Sequence, residues 1–232
     1  MRASSKLGSD RIGQSDAGAT PYDAAYYEAR EGWRDRHVES LAAAASVGAI
    51  PGGVIIDVGC GTGPLLPLLR RRHLLPVGVD TNLMALTVAN RRRCGSVLRM
   101  SPRPDLPFLS ACAGAIVAQH LIEHVDDAAL VLQEWRRVLL PGGRLVLLTP
   151  NAQHPDQAIF HDPQHRVLFS AGSITRLLRS AGFETVAVQG LFPYLGAGRL
   201  GRALSRRAWQ LGRLRPWTRR ARTLLVTARR HS

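Results

Sequence analysis

Short, nearly continuous apolar runs alternate along this chain with stretches whose apolar residues recur at helical spacing. Val54-Ile55-Ile56-Asp57-Val58, Pro76-Val77-Gly78-Val79-Asp80, Gly114 to Ala118 and Leu145 to Asn151 read as strands. Between and after them, Leu65 to Leu69, Asp127 to Leu139 and Ser173 to Ala181 read as helices, and Gly182 stops the last in the usual C-terminal manner. Glu184 to Val188 and Thr223 to Ala228 alternate as two further strands. Tyr22 to Ala45 is helical in pattern, with Tyr26, Tyr27, Trp33, Val38 and Leu41 as apolar contacts. Strands that alternate with helices imply an α/β fold around a mostly parallel sheet with helices on both faces.

Composition narrows this reading to one class. A length of 232 residues suits a single domain with a substantial core, and 45% apolar content is ordinary for a globular chain. No apolar run reaches the roughly 20 residues that span a bilayer, and the N-terminus lacks the apolar core of an export signal. Three cysteines, one of them Cys60 among the glycines after the first strand, make no disulfide framework. The expected location is cytoplasmic. Residues 1–20 are small and polar and are expected to be disordered, which leaves 21–232 as one domain.

Charge changes the picture at one end. The net charge is +14, yet no Asp or Glu follows Glu184, and 11 arginines lie beyond it. Most of these fall in a basic insertion at about 191–221, between the last two predicted strands. Drawn as a helix, Leu200, Leu204, Ala208 and Leu211 share a face, Arg199, Arg202, Arg206 and Arg213 cluster opposite, and Trp209 and Trp217 flank them. A solvated face, an anionic membrane surface with the chain peripherally attached, and RNA phosphates are the readings, in that order. A single lysine against 30 arginines also points to a compositional bias.

Candidate chemistry centres on Asp57-Val58-Gly59-Cys60-Gly61-Thr62-Gly63. Glycines directly after a strand let the backbone turn tightly and approach a ligand that a Cβ would exclude. The helix start behind them offers free N–H groups to a polar or anionic ligand. The dinucleotide fingerprint G-x-G-x-x-G needs a small residue at position 64, where this chain has Pro64. Asp80, at the end of the second strand, stands at the offset where a carboxylate bonds ribose hydroxyls. Its other reading is a helix N-terminal carboxylate.

The G-x-G-x-G form after an acidic strand end resembles motif I of the class I S-adenosylmethionine-dependent methyltransferases. Further marks follow in the family's order: Asp105-Leu106-Pro107-Phe108, Gln119-His120-Leu121-Ile122-Glu123-His124-Val125, Leu140-Pro141-Gly142-Gly143-Arg144, and Thr149-Pro150-Asn151. His161-Asp162-Pro163-Gln164-His165 with Phe169-Ser170 resembles a segment of small-molecule members, including the ubiquinone-biosynthesis O-methyltransferase group. The resemblance covers about residues 50 to 190 and implies a Rossmann-like, seven-stranded sheet of order 3-2-1-4-5-7-6 with strand seven antiparallel.

It also implies roles. S-adenosylmethionine is the expected cofactor, with Gly59, Cys60, Gly61 and Gly63 around its methionine and ribose and Asp57 ordering the loop or reaching the amino group. Asp80 takes the ribose, Thr81, Asn82, Asp105 and Leu106 lie towards the adenine, and Gln119 sits near the methyl group. The N-terminal aromatics either close over the cofactor or pack on the sheet. His120 and His165 are the candidate bases for a hydroxyl acceptor, and His154 and His161 share the loop after strand five. His120-x-x-Glu123-His124 also matches an inverted zinc-peptidase pattern, against which its place after a sheet strand argues. Some ubiquinone-biosynthesis and small-RNA relatives hold a divalent metal on Glu-x-x-Glu-His. This chain has His120 at the first of those positions, and no metal is expected.

Two positions depart from the family: Pro102 replaces the acid before Asp105, and Ala113-Gly114 replaces Phe-Asp. The expected activity is O-methylation of a small or lipid-like metabolite. The alternatives are RNA methylation guided by the basic segment and a non-catalytic binding module.

Overall fold

The computed structural model describes residues 27, 34–72, 74–93, 95–101, 103–155, 162–193, 195, 198, 200, 201, 203, 204, 212 and 214–231. In chain order these form α1 (Arg34–Val47), β1 (Val54–Val58), α2 (Leu66–Arg70), β2 (Leu75–Asp80), α3 (Leu83–Arg91), β3 (Ser96–Arg99) and β4 (Ala113–Gln119). A single 3-10 turn (Ile122–His124) leads into α4 (Ala128–Val138), followed by β5 (Leu139–Pro150), α5 (Ala171–Ser180), β6 (Phe183–Pro193), α6 (Arg215–Arg220) and β7 (Ala221–Arg230). The seven strands make one sheet in the order β3-β2-β1-β4-β5-β7-β6. All neighbours run parallel except β7, which is antiparallel to both β5 and β6. The expected order and the reversed last strand are both present.

Burial explains why the central strands read as continuous apolar runs. Ile55, Ala115, Val117, Val146 and Leu148 face α1 and α2, where Ala43, Val47, Leu65 and Leu69 cover them. Their sequence neighbours Ile56, Ile116, Ala118, Leu145 and Leu147 face α4 and α5, against Trp135, Leu132, Ile174 and Leu178. A sheet covered on both sides has no polar face to alternate with. β3 escapes that pattern: its four residues are half-buried or exposed at the sheet edge, so Ser96–Arg99 carries almost no apolar signal.

Packing also accounts for one departure from the family. A Cβ at Gly114 would lie 2.2 Å from the Pro51 carbonyl oxygen, so the loop before β1 presses directly on β4 at that point. Glycine there is a packing requirement. Opposite it the Leu140–Gly143 turn bulges from β5, whose pairing jumps from Leu139 with Ala113 to Arg144 with Ala115. Pro102, the other departure, lies outside the described residues, as do residues 1–20, Tyr26, Trp33, His161 and most of the amphipathic stretch 199–213.

Candidate active site

The carboxyl ends of β1, β2 and β4 open into a cleft of about 1190 Å³. At the β1 end, Gly59 and Gly61 have φ of +73° and +54°, values a side chain resists. A Cβ on Gly59 would meet Leu121 at 3.2 Å, and one on Gly61 would meet the Tyr27 ring at 3.2 Å. The Gly59 and Cys60 N–H groups both donate to the Val79 carbonyl, at 2.8 and 3.0 Å, and tie the loop to β2. Asp80 completes the tie: its Oδ2 accepts from the Gly61 N–H at 2.8 Å and its Oδ1 from the Asn82 N–H at 2.9 Å. The cap of α3 is Asn82, whose side chain accepts from the Ala85 N–H at 3.1 Å. Asp80 is therefore a loop clasp at the cleft and not the helix cap.

Of the residues expected at the cofactor, Gly59, Gly61, Asp80, Thr81, Asn82, Leu106 and Gln119 line the cleft together. Others in that set stand elsewhere. Gly63 packs its backbone on α3, where a Cβ would touch Ala89 at 3.0 Å. Cys60 is buried beside Gly78, and burial raises its thiol far above the ordinary range, which leaves it inert. Asp105, expected at the adenine, is exposed and not part of the wall. The neighbouring Leu106 turns inward, because its N–H donates to Glu134 Oε1 at 2.8 Å.

Asp57 lies buried beneath the loop, behind the wall. Among the described residues its Oδ2 has no hydrogen-bond partner. Burial, with Asp80 adding to it and the Arg36 guanidinium opposing, pushes the carboxyl up to about 8. Arg36 itself lines the cleft over Gly61. S-adenosylmethionine carries two ribose hydroxyls, an α-amino group and an α-carboxylate. Asp80, Asp57 and Arg36 offer an acceptor, an unmatched buried acid and a cation around one glycine loop. These residues fit that cofactor.

The other end of the cleft is histidine-rich, and its geometry reassigns the histidines. His120 follows β4 with φ of +52°, so it is not on a helix with His124 and the two do not share a face. Its Nε2–H donates to Glu39 Oε2 at 3.0 Å, and its Nδ1 lies 3.3 Å from Glu123 Oε1. Burial disfavours a charged ring, but the Glu39 carboxylate and the contacts to Glu123 outweigh it and raise the pKa to about 9. A ring already protonated at neutral pH cannot accept a proton, which does not fit His120 as the base. His124 has the opposite character, since burial lowers its pKa. Its Nδ1–H donates to the Gln164 carbonyl at 3.2 Å, leaving Nε2 as the basic nitrogen. His124 lines the cleft; His165 does not, and stands behind it with ring centres 4.8 Å apart. His154 is buried in the loop after β5.

Glu123, His124 and His165 each bring one potential ligand atom within 4.8 Å of the others, a donor set a metal ion could draw together. Around them runs a buried polar network. Thr149 donates to Glu123 Oε2 at 3.1 Å, Thr223 to Glu39 Oε1 at 2.6 Å, and Ser40 to Gln119 Oε1 at 3.2 Å. The sequence reading passed over Arg36, Glu39 and Ser40. Their spacing on α1 puts all three on one face, the one faint signal available.

Comparison with known proteins agrees with the fold. Residues 28–188 match the family described as methyltransferase domains. A probable S-adenosylmethionine-dependent methyltransferase of Mycolicibacterium smegmatis is 29% identical over 63% of this chain and 58% of its own length. A malonyl-[acyl-carrier protein] O-methyltransferase of Herminiimonas arsenicoxydans is 32% identical over 72% of this chain and 65% of its own. The chain thus spans less than two thirds of these curated relatives. Among solved structures, the Haloferax volcanii methyltransferase in complex with the Trm112 activator superposes with a TM-score of 0.69 at 20% identity, over 88% of this chain and 95% of that one. With the sheet order, the glycine loop clasped by Asp80 and this match over most of its length, the chain belongs to the methyltransferase domain family of class I S-adenosylmethionine-dependent enzymes.

Proposed function

We propose that the protein transfers a methyl group from S-adenosylmethionine to a hydroxyl of a small or lipid-like metabolite. The observation that carries this is one continuous cleft with the Asp80 clasp at one end and a neutral histidine, His124, at the other. Its 1190 Å³ exceeds the roughly 300–1,000 Å³ of a typical single-ligand site, leaving room for donor and acceptor together. Bound S-adenosylmethionine supplies an electrophilic methyl on a sulfonium, so the protein's task is mainly placement. Asp80 holds the ribose and Arg36 the α-carboxylate, and Asp57, buried behind the loop, reaches the α-amino group through water. Gln119, held by Ser40, fixes the wall where the two ligands meet. His124 Nε2 takes the hydroxyl proton, its ring oriented by the Gln164 carbonyl. His165 braces that ring from behind, and His120 acts as a structural cation.

We further propose that no metal takes part. Glu123 is already matched by the imidazolium of His120 and the hydroxyl of Thr149, and a second cation there would meet the first at close range. The acceptor side of the curated relatives is varied, and malonyl-carrier and quinone-precursor enzymes both occur among their names. Incubation of a fractionated extract with labelled S-adenosylmethionine tests the reading. Label in an organic-soluble hydroxyl metabolite is expected, unchanged by a chelator. Label appearing in RNA, or none at all despite cofactor binding, would replace it by one of the alternatives.

A further inference from the structure

We infer that Glu134 and Arg137 are positioning residues for the cofactor: standing outside the cleft, they hold in place the loop that forms one of its walls. Between β3 and β4 the chain runs through residues 100–112 with no helix or strand among the described residues. This loop still supplies Met100, Arg103, Pro104 and Leu106 to the cleft. Irregular backbone at a ligand site must be fixed by something, or the ligand has to order it on binding. At its near end the Met100 N–H donates to the Asp80 carbonyl at 3.0 Å, next to the side chain that clasps the glycine turn. Beyond Met100 the ties run to α4.

Glu134 and Arg137 are spaced i, i+3 on α4 and so are neighbours on its surface. Trp135 between them is buried in the core with Leu132 and Val138, which gives the pair a fixed base. Glu134 Oε1 accepts from the Leu106 N–H at 2.8 Å. Arg137 grips the same carboxylate, donating from Nε to Oε2 and from Nη2 to Oε1, both at 2.7 Å. The rest of the guanidinium reaches the loop, with Nη1 donating to Ser110 Oγ at 3.0 Å and Nη2 to the Phe108 carbonyl at 2.9 Å. The α4 backbone completes the seam, because the Arg137 and Val138 carbonyls accept from the Ala111 and Cys112 N–H groups, each at 2.9 Å.

Neither Glu134 nor Arg137 lines the cleft, whereas Leu106 does and is buried. A surface ion pair at this spacing contributes little to stability by itself. Bonded to the loop, this one sets Leu106 before any ligand arrives. The Arg137 guanidinium holds the Glu134 carboxyl below its ordinary range against partial burial, and the Leu106 N–H adds to the effect, so the acceptor is ionised at neutral pH. Serving a carboxylate and two loop oxygens at once takes a planar fork, which lysine lacks.

Calorimetry of the full chain with S-adenosylhomocysteine tests the inference, which rests on the cofactor's place in this cleft. Glu134→Ala and Arg137→Gln should each bind on the order of tenfold more weakly, the scale of ordering one loop residue on binding. Glu134→Gln keeps an oxygen for the Leu106 N–H and should stay within about threefold of the parent. Amide exchange at Leu106 should be slow in the parent with or without ligand. In Glu134→Ala it should be fast without ligand and slow with it, a difference that a merely structural pair would not produce. Equal affinity in the parent, Glu134→Ala and Arg137→Gln would overturn the inference alone, as would an equal loss in Glu134→Gln and Glu134→Ala. No binding by the parent would overturn the cofactor's placement and the inference with it.

Discussion

The two ends of the cleft are built by different means. The glycine-loop end uses backbone and side chains from residues 57 to 82, contributed by one strand–helix–strand unit and clasped by Asp80. The histidine end draws Glu39 from α1, His120 and Glu123 from the β4 turn, Thr149 from β5 and Thr223 from β7 into one buried network. A local site tolerates change elsewhere in the fold. A distributed one reports on the seating of every element that feeds it, α1 included, because Glu39 and Ser40 join that helix to β7 and β4 by side-chain hydrogen bonds. Cofactor binding should therefore be separable by mutation from the integrity of the acceptor side.

Asp80→Ala is the strongest break. It removes the clasp and the ribose acceptor together, so calorimetry should show no S-adenosylmethionine binding and methyl transfer should vanish. The fold should lose about 2–6 kcal/mol, at about 1–3 kcal/mol for each of the two backbone donors left unmatched. Undiminished turnover would falsify the placement of the ribose. Glu39→Gln or Glu123→Gln breaks the other end, stranding a buried imidazolium with one carboxylate. Urea unfolding should register a loss of about 3–5 kcal/mol.

That network has a pH signature. His120 titrates near 6.5 when unfolded and near 9 in the folded chain. The folded state thus holds a proton that the unfolded state has released, and the added stability is complete below pH 6.5 and gone above about pH 9. By linkage it amounts to about 3 kcal/mol. A flat melting curve across that window would show that His120 is not a paired cation.

His124→Gln should lower kcat by about a hundredfold, the usual scale for a general base, with cofactor affinity unchanged. His165→Gln should cost about tenfold or less, since that ring braces His124 without lining the cleft. If the two variants are equally impaired, and a chelator slows the parent, a metal on Glu123, His124 and His165 replaces the base.

What the sequence made legible follows the same division. The strand–glycine loop–strand unit and the sheet order depend on local patterning and on motifs in a fixed succession, and both are present in the structure. The histidine end was opaque. Nothing local marks Glu39 as buried, because the hydroxyl that takes its carboxylate, Thr223, is 184 positions away. The spacing of His120 and His124 would put them on one face only in a helix, and the positive φ at His120 rules that helix out. Neutral His124 and cationic His120 have the same side chain and differ in the balance between burial and the charges the fold brings to each.

The last break is the sharpest on the cofactor end. Asp57 carries a carboxyl raised from 3.8 to about 8, chiefly by burial. Between those values the folded state keeps a proton that the unfolded state does not, so this group's contribution to stability falls as pH rises from about 4 to 8 and is constant above. Asp57→Asn removes that penalty, and the variant without cofactor should melt higher than the parent at pH 8.5 but not at pH 4. At pH 7 the parent carboxyl is about nine-tenths protonated. An α-ammonium linked to Oδ2 through water favours the carboxylate, so binding of S-adenosylmethionine should release a proton, up to about 0.9 per site. Calorimetry in two buffers of different ionisation enthalpy measures that release directly. Asp57→Asn should bind without it, whereas proton release undiminished in the variant would move the amino-group contact to another residue of the loop.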